Sequence, residues 1–184
     1  TEFSLIPDFV LTNYIEIFES GVTYSTYLNT FKFAFLGWLF TVIIGFTLAY
    51  FLAFHVRTLR WQIILFLICT IPFWTSNIIR MIAWIPVLGR NGLMNSLLLE
   101  LGVISEPLEW LLYSDFAVIL AFVHLYTLFM LVPIFNSMMR IDKSIIEAAQ
   151  DMGADSQQIL INVIIPLCLP GIAIGTIFVV SLIM

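Results

Sequence analysis

Four long stretches of the chain run almost without charge, and short polar segments separate them. Phe33–Phe54 is 22 residues with no charged side chain, and about 20 apolar residues cross a bilayer as a helix. Trp61–Ile79 is a second uncharged run of 19 residues, interrupted by Pro72. Phe116–Met139 is a third, 24 residues long, carrying His124, Pro133 and Asn136. Ile159–Met184 is apolar again and holds Pro166 and Pro170, with a fourth span predicted from about Pro170 onward. The pattern predicts an all-α membrane protein, a polytopic helical bundle with about four spans.

Finer features sit on these runs. Gly45, Ala49 and Ala53 recur at four-residue spacing, which puts small side chains on one face and allows close helix approach. Gly171 and Gly175 form a second pair of this type. The later half of the second span turns polar through Thr70, Pro72, Trp74, Thr75, Ser76 and Asn77, and Arg80 follows. A proline there removes a backbone donor and predicts a kink. Between the second and third spans the pattern is less regular. Arg90-Asn91-Gly92 reads as a turn, Leu93–Leu101 as a short helix stopped by Gly102, and Ser105-Glu106-Pro107 as a helix restart.

Composition strengthens the membrane reading. Of 184 residues 61% are hydrophobic and 10% charged, with mean hydropathy +1.07, whereas soluble domains carry about 25% charged residues. The net charge of −5 offers no basic face for nucleic acid. Cys69 and Cys168 lie in apolar runs without metal-ligand spacing and read as packing residues. The chain starts at Thr1 and stops inside an apolar run, so further helices are expected beyond both ends. Charge also orients the bundle. Arg57, Arg60, Arg140 and Lys143 fall on one side, while eight of the twelve acids fall on the other. The basic side is therefore expected to be cytoplasmic. Residues 1–26 are expected to form an extracytoplasmic segment, with the transmembrane domain over 27–184.

One stretch on the cytoplasmic side breaks the apolar pattern. Ser144–Glu147 fits the capping box S-x-x-E. Ala148, Ala149 and Met152 continue a helix, and Gly153 suits the left-handed position that ends one. Asp155-Ser-Gln-Gln158 offers a second cap. The segment 141–166 therefore predicts helix, glycine turn, helix, and then entry into a span through Pro166. A hairpin this short has little core of its own. It either docks into a partner or simply joins two spans.

Glu147-Ala148-Ala149, Gly153 six residues after the glutamate, and Pro166 after an apolar run resemble the EAA loop of ABC-transporter permeases. Val163 and Ile165 stand where the family motif has isoleucine and leucine, both conservative departures. The stretches Ile71–Thr75, Asn91–Asn95, Leu101–Ile104 and Met139–Lys143 are similar to the spermidine/putrescine permease family. The resemblance implies a type I importer permease with six spans, of which this chain would hold the second to the fifth. It implies a bacterial inner-membrane location and half of a translocation pathway. The implied partners are a second permease subunit, two ATP-binding subunits that hold ATP-Mg, an external substrate-binding protein and membrane lipid. The chain itself would bind no cofactor and catalyse nothing, and it lacks a GxxxxGK[ST] phosphate loop. Glu147, Ala148, Ala149, Gly153, Ala154 and Asp155 would couple to the ATPase.

For the substrate pathway the candidates are Trp74, Thr75, Asn77 and Asp115. Trp74 can face an amine through cation–π attraction and Asp115 through charge. The competing reading makes Trp74, Trp84 and Trp110 interface-belt aromatics. His124, well inside a span, is either functional or a neutral histidine bonded to a neighbouring helix. Ferric iron, sulfate, thiosulfate or phosphonate remain alternative cargoes. A secondary carrier or channel would need midplane charges that the spans largely lack, and a membrane-embedded enzyme would need a cluster of ionisable groups.

Overall fold

The computed structural model describes residues 12–184. The earlier part of the expected extracytoplasmic segment, with Glu2 and Asp8, lies outside the described residues. Helix α1 (Thr12–Glu19) precedes α2 (Gly21–Tyr50), which continues through a π-helical turn at Phe51–His55. Helix α3 (Leu59–Thr70) ends in a 3-10 turn at Ile71–Trp74. Three short helices follow, α4 (Asn77–Ile82), α5 (Ile85–Leu88) and α6 (Leu93–Glu100). Helix α7 (Asp115–Met138) leads to α8 (Lys143–Asp151) and α9 (Ser156–Ile159). A second π-helical turn, Leu160–Ile164, joins α9 to α10 (Ile165–Ile183). Among the described residues, three continuous helical stretches are long and apolar enough to cross a membrane: Gly21–His55, Asp115–Met138 and Ser156–Ile183. Taken as one broken span, the bent pair Leu59–Trp74 and Asn77–Glu100 brings the number to four.

Helices α2, α7 and α10 form the core, and Met130 sits at its centre with none of its surface exposed. Two glycines make room for it. A β-carbon at Gly45 would stand 3.0 Å from Met130 Cγ, and one at Gly175 would stand 2.6 Å from its Sδ. Lipid chains are as apolar as leucine, so van der Waals contact rather than water exclusion drives this association. The expected small-residue faces are thus contact faces: Gly45, Ala49, Gly171 and Gly175 are all buried. Gly37 meets Phe122 and, two turns on, Gly45 meets Met130, so α2 and α7 run in the same direction. Gly171 faces Pro133 and Gly175 faces Met130, so α10 runs the opposite way. Trp38 Nε1 donates to Thr176 Oγ1 at 2.9 Å, and the Tyr126 hydroxyl donates to the Leu182 carbonyl at 3.1 Å. Polar groups at this depth thereby find partners on the neighbouring helices.

Four expectations need correction. The second span does not run on as one straight helix to Ile79. Pro72 sits in the 3-10 turn that ends α3, and the chain turns by 92° before α4. The fourth span does not begin near Pro170, because helix runs unbroken from Ser156 to Ile183 with Pro170 inside it. The π-turn ahead of Pro166 widens the backbone where the proline ring would otherwise press on the preceding turn. Ser105-Glu106-Pro107 starts no α-helix; the chain stays extended at Leu108 and makes one 3-10 turn, Glu109–Leu111. The fourth correction concerns the cap of α8 and belongs to the site.

Candidate functional site

The EAA stretch forms a capped knob where α2, α7 and α10 converge. Asp142, not Ser144, caps α8: its Oδ1 accepts the Ser144 backbone N–H at 3.0 Å. Ser144 is already inside the first turn, so its hydroxyl stands two residues too late to serve as the cap. The Ser144 backbone N–H, aided by its side chain, holds the Asp142 carboxyl below the usual carboxylate range.

The far end of α8 is closed by backbone alone. Gly153 has φ +86°. Its N–H donates to the Gln150 carbonyl at 2.8 Å, and the Ala154 N–H donates to the Ala149 carbonyl at 3.0 Å. This pair of bonds is the Schellman closure, which needs a left-handed residue at the position Gly153 fills. Two residues later a true capping box starts α9. Asp155 Oδ1 accepts the Gln158 N–H at 2.7 Å, and Gln158 Oε1 accepts the Asp155 N–H at 3.1 Å. The turn 151–155 is therefore fixed from both sides.

Packing divides the knob into two faces. Ala149 and Ile159 are buried, and Ile146 and Ala154 pack with them against a cluster containing Met138 and Ile164. On the other side Glu147, Ala148, Gly153 and Asp155 are exposed. Ile145 is exposed too, and Met152 is 83% exposed. Ile145, Ala148 and Met152 stand at i, i+3 and i+7, so they form one apolar stripe along α8. Beneath the knob a cleft of about 410 Å³ separates α8 from the π-turn of α2. His55, Arg57, Lys143 and Glu147 are among its lining residues. Gln62, buried at the base of α3, donates to the Ala53 and Val56 carbonyls at 3.2 and 2.9 Å. It satisfies acceptors at the end of α2, and a glutamine in an apolar run was its only sequence signal.

Of the sequence candidates, Glu147, Ala148, Ala149, Gly153, Ala154 and Asp155 come together in this knob. The four pathway candidates do not form one cluster. Trp74 is 85% exposed at the end of α3. The Thr75 hydroxyl donates to the Pro72 carbonyl at 2.7 Å. Asn77 Oδ1 accepts from the Arg80 guanidinium. Asp115, at the start of α7, pairs with Lys32 of α2. His124 Nδ1 accepts from Trp84 Nε1 at 3.1 Å, so Trp84 is tied to α7. Sequence reasoning passed over Asn95, which is 1% exposed. Its amide donates to the Gly89 and Leu108 carbonyls, each at 3.1 Å, and its Oδ1 accepts the Leu108 N–H at 2.8 Å. One side chain thus holds α6 to the segments before and after it.

No family model matches the chain. Spermidine/putrescine transport system permease protein PotB of Salmonella typhi is 34% identical over 171 residues, covering 93% of this chain and 58% of that protein. PotB of Escherichia coli is 34% identical over 171 residues, covering 93% and 61%. The inner membrane ABC transporter permease protein YdcU of Escherichia coli is 28% identical over 191 aligned positions, covering 97% and 60%. The chain spans about three fifths of the length of the curated relatives it matches. It is homologous to ABC-transporter permease subunits. Within that class its resemblance is to the spermidine/putrescine permeases.

Proposed function

We propose that this chain is the transmembrane permease subunit of an ATP-driven importer of polyamines in a bacterial inner membrane, forming half of its translocation pathway. The observation that carries the reading is the knob, with both helix ends closed and an apolar stripe left uncovered, on a chain 34% identical to PotB over 93% of its length. A hairpin transmits a push only if it does not bend under it. The Schellman closure and the Asp155–Gln158 box supply that stiffness, while Ile146, Ala149 and Ile159 join it to the spans. The stripe Ile145–Ala148–Met152 would seat in a groove of a cytoplasmic ATP-binding subunit, the side assigned to it by the loop lysines and arginines. ATP-Mg would bind there and not on this chain. A second permease subunit, a second ATP-binding subunit and an external binding protein would complete the transporter, and Trp74, Thr75, Asn77 and Asp115 are the proposed pathway residues. The likeness to PotB, a spermidine/putrescine transport system permease protein, supports spermidine or putrescine as cargo.

The test is uptake of radiolabelled spermidine by proteoliposomes holding the full-length transporter with ATP inside. Uptake that needs ATP and is outcompeted by putrescine supports the proposal. Uptake unaffected by ATP removal contradicts the importer reading, and ATP-dependent uptake of sulfate or ferric iron in place of spermidine contradicts the cargo.

A further inference from the structure

Beyond the knob, the cavity of about 340 Å³ between α2, α3, α4 and α7 holds Arg80, Trp84, His124 and Thr127 among otherwise apolar walls. After the 92° turn that follows Trp74, α4 packs against α7. His124 lies nine residues into α7, which at about 1.5 Å per residue is roughly 14 Å from its start. Arg80, lining the same cavity, therefore sits at membrane depth and not at the rim where its place in the sequence would put it. It is 7% exposed. One Nη donates to Asn77 Oδ1, yet Nε is a buried donor with no partner among the described residues. Two ion pairs are present among those residues, Lys32–Asp115 and Arg90–Glu109, and Arg80 is in neither.

The His124 ring points to the same chemistry. An indole N–H can only donate, so the bond from Trp84 makes His124 Nδ1 the acceptor and leaves the proton of the neutral ring on Nε2. The cavity thus presents a charged donor and a neutral donor, while the Thr127 hydroxyl is spent on the Val123 carbonyl. An arginine at membrane depth pairs with an acid or marks a solute path. A cationic solute cannot be that occupant, because it carries the same charge and brings further donors.

We propose that this cavity receives an aspartate or glutamate side chain of the facing permease subunit, which pairs with Arg80. Charge complementarity selects the occupant: one cation with no acid opposite it among the described residues, and mostly apolar walls that suit the stem of an acidic side chain on an apposed helix. The proposal rests on the permease reading above.

Charge reversal in the full-length transporter tests it, read as recovery of the second permease with the tagged chain and as the melting temperature of the complex. Arg80→Glu is expected to cut recovery at least tenfold. Changing each intramembrane Asp or Glu of the facing subunit to Lys in that background should identify one position that restores recovery to within twofold. Arg80→Lys, which keeps the charge but not the fork, should recover more complex than Arg80→Leu. The proposal is overturned if no reversal restores Arg80→Glu, or if Arg80→Leu assembles and melts like the wild type. Neither readout involves solute, so failure of the pair is distinct from failure of the cargo assignment. A wild-type chain that recovers no second membrane subunit would remove the permease reading itself.

Discussion

The α2–α7–α10 core and the α3–α6 arm solve the same problem by opposite means. In the core, side chains shrink until backbones touch: glycines at 45, 171 and 175 accept Met130 and the Pro133 carbonyl. In the arm, the helix is broken, and side-chain amides replace the hydrogen bonds that a continuous helix would make. Asn95 ties three backbone groups and Gln62 ties two. The core resists added volume, whereas the arm resists loss of single polar atoms. The knob combines both, with an Ala149 that must stay small and caps that must stay polar.

The contrast breaks in the core at Gly175. A β-carbon there meets Met130 Sδ at 2.6 Å and its Cα at 3.2 Å, and the second contact is with backbone that cannot swing away. Gly175→Val is expected to destabilise the bundle by about 1–3 kcal/mol or more, read as loss of the monodisperse peak after heating in detergent. In the arm, Asn95→Leu keeps the volume but strands the Leu108 N–H and two carbonyls, at about 1–3 kcal/mol for each group left unpaired. Hydrogen exchange should rise over residues 89–111 while α10 stays protected.

Smaller effects belong to the knob. Gly153→Ala puts a β-carbon on a residue at φ +86° and should cost about 1–2 kcal/mol; no neighbouring atom lies within 4 Å of that carbon, so the cost is conformational and not steric. Asp155→Ala removes the capping box at about 1 kcal/mol. Both should lower the coupling of ATP hydrolysis to transport more than they lower the yield of folded protein. The smallest effect is the pH response of α8. The Asp142 carboxyl is held below its ordinary value by the Ser144 N–H. Its contribution is complete above the unfolded aspartate value of about 3.9 and fades as pH falls through the lower folded value. Exchange protection of the first turn of α8 should therefore drop on acidification in the wild type and show no such step in Asp142→Asn.

The spans and the knob were legible because each depends on local rules. Uncharged length marks a span, and a glycine between two caps marks a helical turn. The extent of α3 was less legible, because Pro72 is equally compatible with a kink and with an end. The structure ends α3 there, and the contacts beyond the bend, such as the bond from Trp84 to His124 forty residues away, are not visible to a local rule. The same distance hid Arg80, whose neighbours in sequence suggest a membrane edge and whose neighbours in space are mid-span. The Asp142 cap was missed for a smaller reason: Ser144 satisfies the same sequence rule two residues late. Asn95 left only an amide in an apolar helix, which does not say what it will bind.

The central claim is that the uncovered stripe of the knob seats on an ATP-binding subunit. A single cysteine at Met152, in an otherwise cysteine-free transporter, tests it most directly against cysteines placed around the groove of the co-purified ATPase. A disulfide that forms in high yield, and whose yield changes when ATP is added, is the predicted result. No cross-link at any groove position, in a complex that still hydrolyses ATP and transports, would contradict the account and reduce the knob to a connector between two spans.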